Sequence, residues 1–165
     1  ININNYQRDR FSKKIIQSLF GSVSDKKICI LGWSFKKNTN DSRESSAIVV
    51  SSNLIENGAE IRVYDPKVKK EKILADVNEY WLNQNIKRDL INDYLSRIKI
   101  FENPNDASDK ASAICILTEW EEFTVIDWEL IYSGMKRPAW IFDGRNILNR
   151  EILKKMGFEI YQIGK

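Results

Sequence analysis

Short apolar runs alternate along this chain with segments of amphipathic, helical spacing, and this alternation predicts an α/β fold. Residues 113–117 form a continuous apolar run, which is typical of a strand buried on both faces of a parallel sheet. A polar loop, residues 32–45, joins the first apolar run to a helical segment. Together these observations predict a Rossmann-like, mostly parallel sheet with helices on both faces.

The first half of the chain alternates helix and strand. Apolar side chains recur at helical spacing in the opening segment, whereas short continuous or alternating apolar runs indicate strands. Asn-Gly and Asp-Pro pairs indicate where elements end. The predicted elements are a helix over 6–20, a strand over 27–31, a helix over 46–56 ending at Asn57-Gly58, and a strand over 60–64 closed by Asp65-Pro66.

The second half begins with the least regular part of the chain. Residues 67–97 are polar and irregular in pattern, and we interpret them as a surface excursion with one helix near 86–95. The alternation of elements then resumes. The remaining predicted elements are a strand over 98–101, a helical turn after Asn103-Pro104, a strand over 113–117, a helix over 127–135, a strand over 139–142, a helix over 149–156 ending at Gly157, and a closing strand over 158–161.

The composition is that of a globular domain of modest charge. The chain has 165 residues, of which 42% are hydrophobic and 30% charged, enough for one compact domain with a sizeable core. Its 26 basic and 23 acidic side chains leave a net charge of +3, too small to indicate a nucleic acid partner. No apolar run approaches the ~20 residues of a membrane span, and no signal-peptide pattern opens the chain, so we expect no membrane association.

Histidine is absent from the chain, and this excludes several kinds of catalytic site. Ser-His and Cys-His nucleophilic systems and the commonest zinc ligand are all missing. Cys29 and Cys115 each lie within an apolar, strand-like run, so we expect buried thiols in a reducing compartment. We therefore expect no catalytic residue and no metal site in this chain.

The loops that leave the carboxyl ends of the strands are the candidate ligand site, because open α/β sheets bind ligands there. In the loop over 32–45, Gly32 stands where a dinucleotide fingerprint begins, but Ser34 and Lys37 replace its later glycines. Charge would therefore come from side chains. Lys36, Lys37 and Arg43 follow the first strand, and Arg145 follows the fifth. These cations either converge on an anionic ligand or are separate solvated charges.

Other polar and aromatic residues at this edge have two readings each. Asp65 either holds an adenosine ribose or forms a turn before Pro66, and we favour the turn. Trp33 and Trp120 either stack on a base or pack against the core, and packing is the commoner role. Glu119 and Asp143 form an acid/base pair only if their loops meet.

Several motifs in this edge region occur in an order that carries a resemblance. The loop over 32–45 is followed by Tyr64-Asp65-Pro66, Thr118-Glu119-Trp120 and Phe142-Asp143-Gly144-Arg145-Asn146. Their order and spacing resemble the C-terminal UDP-binding domain of the UDP-glucose/GDP-mannose dehydrogenase family, and within it the animal-type UDP-glucose 6-dehydrogenases. The resemblance covers nearly the whole chain. Residues 1–22 resemble the end of the central connecting helix, and residues 23–165 resemble the C-terminal domain itself.

The resemblance implies an enzyme that oxidises UDP-glucose to UDP-glucuronate with two NAD per turnover. In this family an N-terminal Rossmann domain holds NAD and the nucleophilic cysteine belongs to the central region. Neither the glycine fingerprint nor a matching cysteine is present here, so we expect the isolated chain to be inactive. The resemblance also implies a cytoplasmic homo-oligomer for the whole protein. A stand-alone nucleotide-binding or regulatory module, or a dehydrogenase of another nucleotide sugar, remains open as an alternative.

The resemblance also assigns residues to ligands. Asn38 stands where an acidic residue or Pro is familiar in the family, and Asn40 stands where Gly or an acidic residue is often seen. Arg43 would reach the NAD held by the other domain. The residues expected to bind the UDP-sugar are Phe35, Lys36, Lys37, Asn38, Thr39, Asn40, Asp41, Ser42 and Arg145.

Overall fold

A six-stranded parallel sheet forms the centre of the molecule in the computed structural model, which describes residues 3–164, with side chains from Tyr6 onward. The strands are β1 (Lys27–Leu31), β2 (Glu60–Tyr64), β3 (Ile98–Ile100), β4 (Ala113–Ile116), β5 (Trp140–Asp143) and β6 (Glu159–Gln162). The helices are α1 (Ile3–Ser18), α2 (Ser46–Glu56), α3 (Lys70–Asn83), α4 (Arg88–Leu95), α5 (Pro104–Ser108), α6 (Trp128–Gly134) and α7 (Arg150–Met156). A 3₁₀ turn, Glu121–Thr124, follows β4.

The strand order confirms the predicted Rossmann-like α/β class. The strands lie in the order β3-β2-β1-β4-β5-β6, and every pair is parallel. The order reverses between β1 and β4, where the chain has wound outward in one direction and then in the other. A crevice forms at such a switch point, outside the carboxyl ends of the strands. The loops after β1 and β4 therefore lie side by side at the place where ligands bind in this architecture.

Two apolar layers, one on each face of the sheet, make up the core. Side chains alternate along β1, so that Ile28 and Ile30 point into one layer and Cys29 and Leu31 into the other. The first layer includes α1, α2, α3 and α4, and the second includes α5, α6 and α7. Both cysteines are free and buried, as the sequence predicts.

Helix α1 is part of the first layer and is not an appendage. Its Phe11, Ile15 and Leu19 are buried, and Ile15 is 0% exposed. On α2, the amide of Asn53 donates hydrogen bonds to Asp9 and to the Ser12 hydroxyl, both at 3.2 Å. The opening helix and the sheet therefore share one core.

The prediction of an irregular surface excursion over 67–97 is wrong in its first half. Helix α3 is 14 residues long and buries Ile73, Val77 and Trp81, and the indole N–H of Trp81 donates to Glu56 on α2 at 3.0 Å. These three side chains are four residues apart and form one narrow stripe. Polar residues occupy most other positions of α3, so the stripe gives only a weak periodic signal. The helix predicted over 86–95 is α4.

Among the described residues, no helix has both the length and the apolar character needed to cross a bilayer.

Candidate functional site

The candidate site lies where the loop after β1 closely approaches the loop after β4. Gly32 follows β1 with φ +100°, and its amide donates to the Tyr64 carbonyl at 2.9 Å. A Cβ added at Gly32 would lie 2.5 Å from the Thr118 Cβ and 2.6 Å from its backbone nitrogen. Only glycine fits this conformation and this contact. The loop after β1 can therefore pass directly against the loop after β4, where the Thr118 hydroxyl donates to the Ser34 carbonyl at 2.7 Å.

Asp65 holds the beginning of the loop over 32–45, and this confirms its reading as a structural residue. Its Oδ2 accepts from the backbone amides of Trp33 at 2.6 Å and Ser34 at 3.0 Å. Its Oδ1 accepts from the amides of Lys67 and Val68, which closes the turn after β2. The two loop amides that could face a pyrophosphate are thus already used. This loop does not fit the dinucleotide mode, and the ribose-binding alternative for Asp65 is not realised.

A second buried carboxylate, Asp76 of α3, holds the loop from the other side. Its Oδ2 accepts from the Trp33 indole at 3.0 Å and from the Ser42 hydroxyl at 2.6 Å. Its Oδ1 forms an ion pair with Lys72 at 2.9 Å. One carboxylate therefore contacts both the first and the last part of the loop.

Both tryptophans of this edge belong to the core, as predicted. Trp33 is 0% exposed and Trp120 is 6% exposed. The Trp120 indole donates to Asp65 at 3.1 Å, so both ring nitrogens are paired with buried carboxylates. Neither indole face is available for stacking on a base.

Arg145, after β5, joins three loops. Its Nε donates to the Leu117 carbonyl at 3.1 Å, one terminal nitrogen contacts Glu119 at 3.1 Å, and the other donates to the Phe35 carbonyl at 3.2 Å. The Glu119 carboxylate pairs with Arg145. It thereby compensates part, but not all, of the positive charge at this edge. The guanidinium is held in place across the switch point between β1 and β4.

Glu119 and Asp143 do not form an acid/base pair. Asp143 is 0% exposed and accepts from the amides of Arg145 at 3.0 Å and Leu148 at 2.9 Å. It also accepts from the Gln162 amide group at 3.0 Å. The Asp143 carboxylate shapes the turn after β5, whereas Glu119 pairs with the Arg145 side chain.

A cavity of about 330 Å³ opens beside Arg145 and Phe35. Phe35 is 47% exposed and lines this cavity together with Leu117 and Gly144. Arg8 of α1 also lines it and donates to the Glu44 carbonyl at 2.6 Å. A cavity of this size, with a fixed guanidinium on one side and an aromatic ring beside it, suits part of an anionic organic ligand.

The other predicted site residues lie along the loop outside this cavity. Lys37 is exposed and forms an ion pair with Glu121 at 3.6 Å. The exposed or half-buried residues of the same stretch include Lys36, Asn38, Thr39 and Asn40. Ser42 and Arg43 line a second cavity of about 560 Å³, together with residues of α2 and α3. The structure thus brings Phe35 and Arg145 together, and it places Ser42 and Arg43 at a neighbouring cavity.

Arg43 is folded back on its own loop. Its guanidinium donates to both oxygens of Asp41, at 3.1 and 2.9 Å, and these hydrogen bonds lower the pKa of Asp41 to about 2. The Arg43 side chain is 85% exposed. A partner outside the described residues could therefore reach this guanidinium from solvent.

The chemistry that these residues support is binding. Burial raises the pKa of the Cys29 and Cys115 thiols, which removes them as thiolate nucleophiles. Within residues 3–164, no group of three or more acidic or cysteine side chains is placed to hold a metal ion. The described site orients a guanidinium beside a cavity and offers no nucleophile.

Sequence reasoning missed Asp76 and did not pair Glu119 with Arg145. Asp76 lies in the segment interpreted as irregular, and nothing in its immediate neighbours distinguishes it from a surface acid. The i,i+4 spacing of Lys72 and Asp76 is a usable helix signal, but it is typical of solvated helix faces. Only the packing of α3 against the loop gives Asp76 its place.

Comparison with known proteins places this arrangement in a family. Residues 29–150 match the UDP-binding domain of the UDP-glucose/GDP-mannose dehydrogenase family. The UDP-glucose 6-dehydrogenase of Drosophila melanogaster is 45% identical over 165 residues, which are 100% of this chain and 34% of that protein. The Caenorhabditis elegans UDP-glucose 6-dehydrogenase is 46% identical over 164 residues, 99% of this chain and 32% of that protein. The chain thus spans about a third of the length of these curated relatives.

A solved structure shares the fold. The NDP-N-acetyl-D-galactosaminuronic acid dehydrogenase from Methanosarcina mazei Go1 superimposes with a TM-score of 0.70 at 21% identity, over 98% of this chain and 29% of that one. At this identity the likeness concerns the fold alone. The family match, together with the Rossmann-like sheet and the loops at its switch point, establishes that this chain belongs to the UDP-glucose/GDP-mannose dehydrogenase family and contains its UDP-binding domain.

Proposed function

We propose that this chain is the UDP-sugar-binding part of an NAD-dependent UDP-glucose 6-dehydrogenase, which oxidises UDP-glucose to UDP-glucuronate. The observation that carries the proposal is the guanidinium of Arg145, held at the switch point beside an open cavity. The identity of 45% with the Drosophila melanogaster enzyme supports UDP-glucose as the substrate. The chain binds the UDP portion, and it does not carry out the oxidation.

The diphosphate of the ligand explains the cations at this edge. A diphosphate carries at least two negative charges, and a guanidinium matches paired phosphate oxygens with its planar fork of donors. Arg145 contacts the diphosphate or sugar from the β5 side, and Phe35 covers the ligand from the β1 side. The other binding residues of the loop over 32–45 lie around the mouth of the site, and Lys36 adds a further positive charge there. The substrate-binding set is Phe35, Lys36, Lys37, Asn38, Thr39, Asn40, Asp41, Ser42 and Arg145.

The remaining parts of the reaction belong to other regions of the whole protein. NAD is the electron acceptor in this proposal, and a separate N-terminal domain holds it. The proposal is supported by the loop after β1, whose first amides donate to Asp65. Arg43 is solvent-exposed and reaches that cofactor across the domain boundary. Residues 1–22 are the end of a central connecting helix and residues 23–165 are the C-terminal domain. The whole protein acts as a homo-oligomer in the cytoplasm.

Calorimetric titration of the chain with UDP, ADP and NAD at low salt tests this proposal. We expect UDP to bind more tightly than ADP, since the family match concerns UDP. The Arg145→Ala variant removes a charged hydrogen-bond donor, which should weaken UDP binding at least about tenfold, and Lys36→Ala should weaken it by less. Lys155→Ala, which removes an exposed cation of α7, is the matched control and should bind UDP as the parent chain does.

Preference for ADP or NAD would contradict the proposal and favour a stand-alone dinucleotide-binding or regulatory module. Preference for GDP, added as a fourth ligand, would instead favour a dehydrogenase of another nucleotide sugar. Equal UDP binding by Arg145→Ala and Lys155→Ala would contradict the assignment of Arg145, because loss of a ligand contact must lower affinity more than loss of a distant charge.

A further inference from the structure

We infer that Asp76, on helix α3, is a positioning residue that sets the shape of residues 33–42, which form the substrate loop. The inference concerns how the loop is held, and it rests on the proposed function only for its consequence on UDP affinity. No residue of α3 belongs to the substrate-binding set described above. The helix nevertheless supplies a single carboxylate that contacts the loop at both of its ends.

Asp76, Trp33 and Ser42 form a hydrogen-bonded group that we call the clamp, because one carboxylate joins two separate positions of the loop. Its carboxylate is 8% exposed, and its Oδ2 accepts from the Trp33 indole at 3.0 Å and from the Ser42 hydroxyl at 2.6 Å. These two donors are nine positions apart in the sequence, yet they meet on one oxygen atom. Hydrogen bonds to an ionised acceptor are about twice as strong as neutral ones, and both donors here are shielded from water. The loop between them is thus closed at its base.

The two ends of the loop are not held equally. The first end is held by Asp65 through two backbone amides, in addition to the Asp76 contact. At the second end, the buried side chain of Ser42 donates to Asp76. Between these ends, Phe35 and Asp41 are joined by a backbone hydrogen bond of 2.7 Å. Loss of the Asp76 carboxylate should therefore release the second end of the loop while the first end stays attached.

Helix α3 connects this clamp to the neighbouring cavity. Lys72, one turn before Asp76, occupies the other carboxylate oxygen at 2.9 Å, and its side chain is half exposed. Lys72 and Asp76 also line the cavity of about 560 Å³ that contains Arg43. The segment between β2 and β3 thus supplies a direct side-chain contact to the substrate loop.

A purely structural role for Asp76 predicts a different result from a positioning role. If Asp76 only contributed to global stability, its replacement would loosen the whole sheet together with the loop. A positioning role predicts loosening confined to residues 34–43. Local and global opening are separated by hydrogen exchange, because each amide reports the opening that exposes it.

The experiment is hydrogen–deuterium exchange on the full 165-residue chain, as parent and as Asp76→Asn. The matched control is Glu56→Gln, which makes the same carboxylate-to-carboxamide change at the hydrogen bond between α2 and the Trp81 indole, away from the loop. Ser42→Ala is a second test variant, because it removes one donor and leaves the carboxylate in place. UDP affinity is measured on the same four proteins.

We expect the amides of residues 34–43 to exchange about tenfold faster in Asp76→Asn, since a charged hydrogen bond replaced by a weaker one costs roughly that factor in opening. Ser42→Ala should give the same local pattern. Glu56→Gln should leave loop exchange unchanged, and the amides of β4 and β5 should be unchanged in all variants. UDP affinity should fall in Asp76→Asn by a factor similar to that for the loop opening.

Unchanged loop exchange in Asp76→Asn, or an equal rise throughout β4 and β5, would overturn the inference. So would a loop that loosens to the same degree in Glu56→Gln. The exchange data decide these outcomes whether or not the parent chain binds UDP. Failure of the parent chain to bind UDP would count against the proposed function, and would leave the result for Asp76 standing on exchange alone.

Discussion

Arg43 and Asp41 form an exposed charge pair within the substrate segment over 32–45, and they lie two positions apart. The Asp41 backbone amide donates to the Thr39 hydroxyl at 3.1 Å, and the Asp41 carboxylate accepts from Arg43, so neighbouring side chains organise this part of the loop. The hydrogen bonds from Arg43 favour the ionised form of Asp41 and lower its pKa from 3.8 to about 2. Arg43 therefore remains partly neutralised at neutral pH, until a stronger anionic partner displaces Asp41.

Replacement of Arg43 by Gln should raise the pKa of Asp41 toward its ordinary value of 3.8. The pKa is depressed in the folded chain, so the stabilising contribution of this pair is present above pH 3.8 and is lost as the pH falls through about 2. Carboxyl chemical shifts followed by NMR between these pH values measure the change. Lys155→Gln is the control, and an Asp41 pKa that is the same in both variants would contradict the pairing.

At the residue scale, the sequence predicts the burial of a side chain, which depends on its size and hydrophobicity, better than its pairing with a residue distant in sequence. Trp33, Trp120 and both cysteines are buried as predicted, because large apolar and thiol side chains are favourable in a core wherever the chain places them. The pairing of Glu119 with Arg145 spans 26 residues of sequence and depends on how two loops fold. Short-range pattern carries no information on such a pair.

Helices and strands with strong periodicity are predicted with nearly correct bounds. Helix α2 begins at Ser46 and ends at Glu56, as the sequence indicates, because Ser45 caps its first turn and Asn57-Gly58 ends it. Helix α3 is not predicted from the sequence because its three buried apolar side chains, Ile73, Val77 and Trp81, form a stripe only one residue wide. The tertiary contact with α2 and the loop stabilises α3, and that contact is not local in sequence.

Helix α1 should contribute substantially to stability, although it is expected to continue a different region of the whole protein. Replacement of fully buried Ile15 by Ala should lower the free energy of unfolding by about 2–5 kcal/mol. Denaturant unfolding followed by circular dichroism measures the loss. Lys13→Ala changes an exposed position of the same helix and should have little effect. Similar small losses in both variants would mean that α1 is not part of the cooperative core.

At the scale of the whole domain, an open cavity lies beside a fixed guanidinium at one edge of the sheet, and both thiols are buried away from it. Its sheet class follows from the alternation of elements, and the order β3-β2-β1-β4-β5-β6 places the loops of β1, β4 and β5 at one edge. The sequence predicts this edge as the ligand site, and of the predicted binding residues Phe35 and Arg145 line the cavity there. The shape of the cavity depends on residues from α1, from the loop after β1 with the first half of α2, from the loops after β4 and β5, and from just after β6, so the sequence pattern alone does not reveal it.

The isolated chain should therefore produce no NADH from UDP-glucose and NAD. Both thiols are buried with raised pKa values, and the first loop amides are bonded to Asp65. NADH absorbance of purified, homogeneous chain is the measurement, with a full-length UDP-glucose 6-dehydrogenase as the positive control. Steady NADH formation that scales with the concentration of the chain would contradict the expectation.

The three contacts of Arg145 bear on how a ligand is received. A guanidinium has five N–H groups, and one on Nε and one on each terminal nitrogen are used within the described chain, on Leu117, Glu119 and Phe35. One N–H on each terminal nitrogen is left over. We therefore expect that a phosphate accepts from this remaining pair while the links between the three loops stay in place. Binding of a ligand to Arg145 then adds hydrogen bonds to an existing network. The entropic cost of ordering the Arg145 side chain arises during folding and not at the moment of binding.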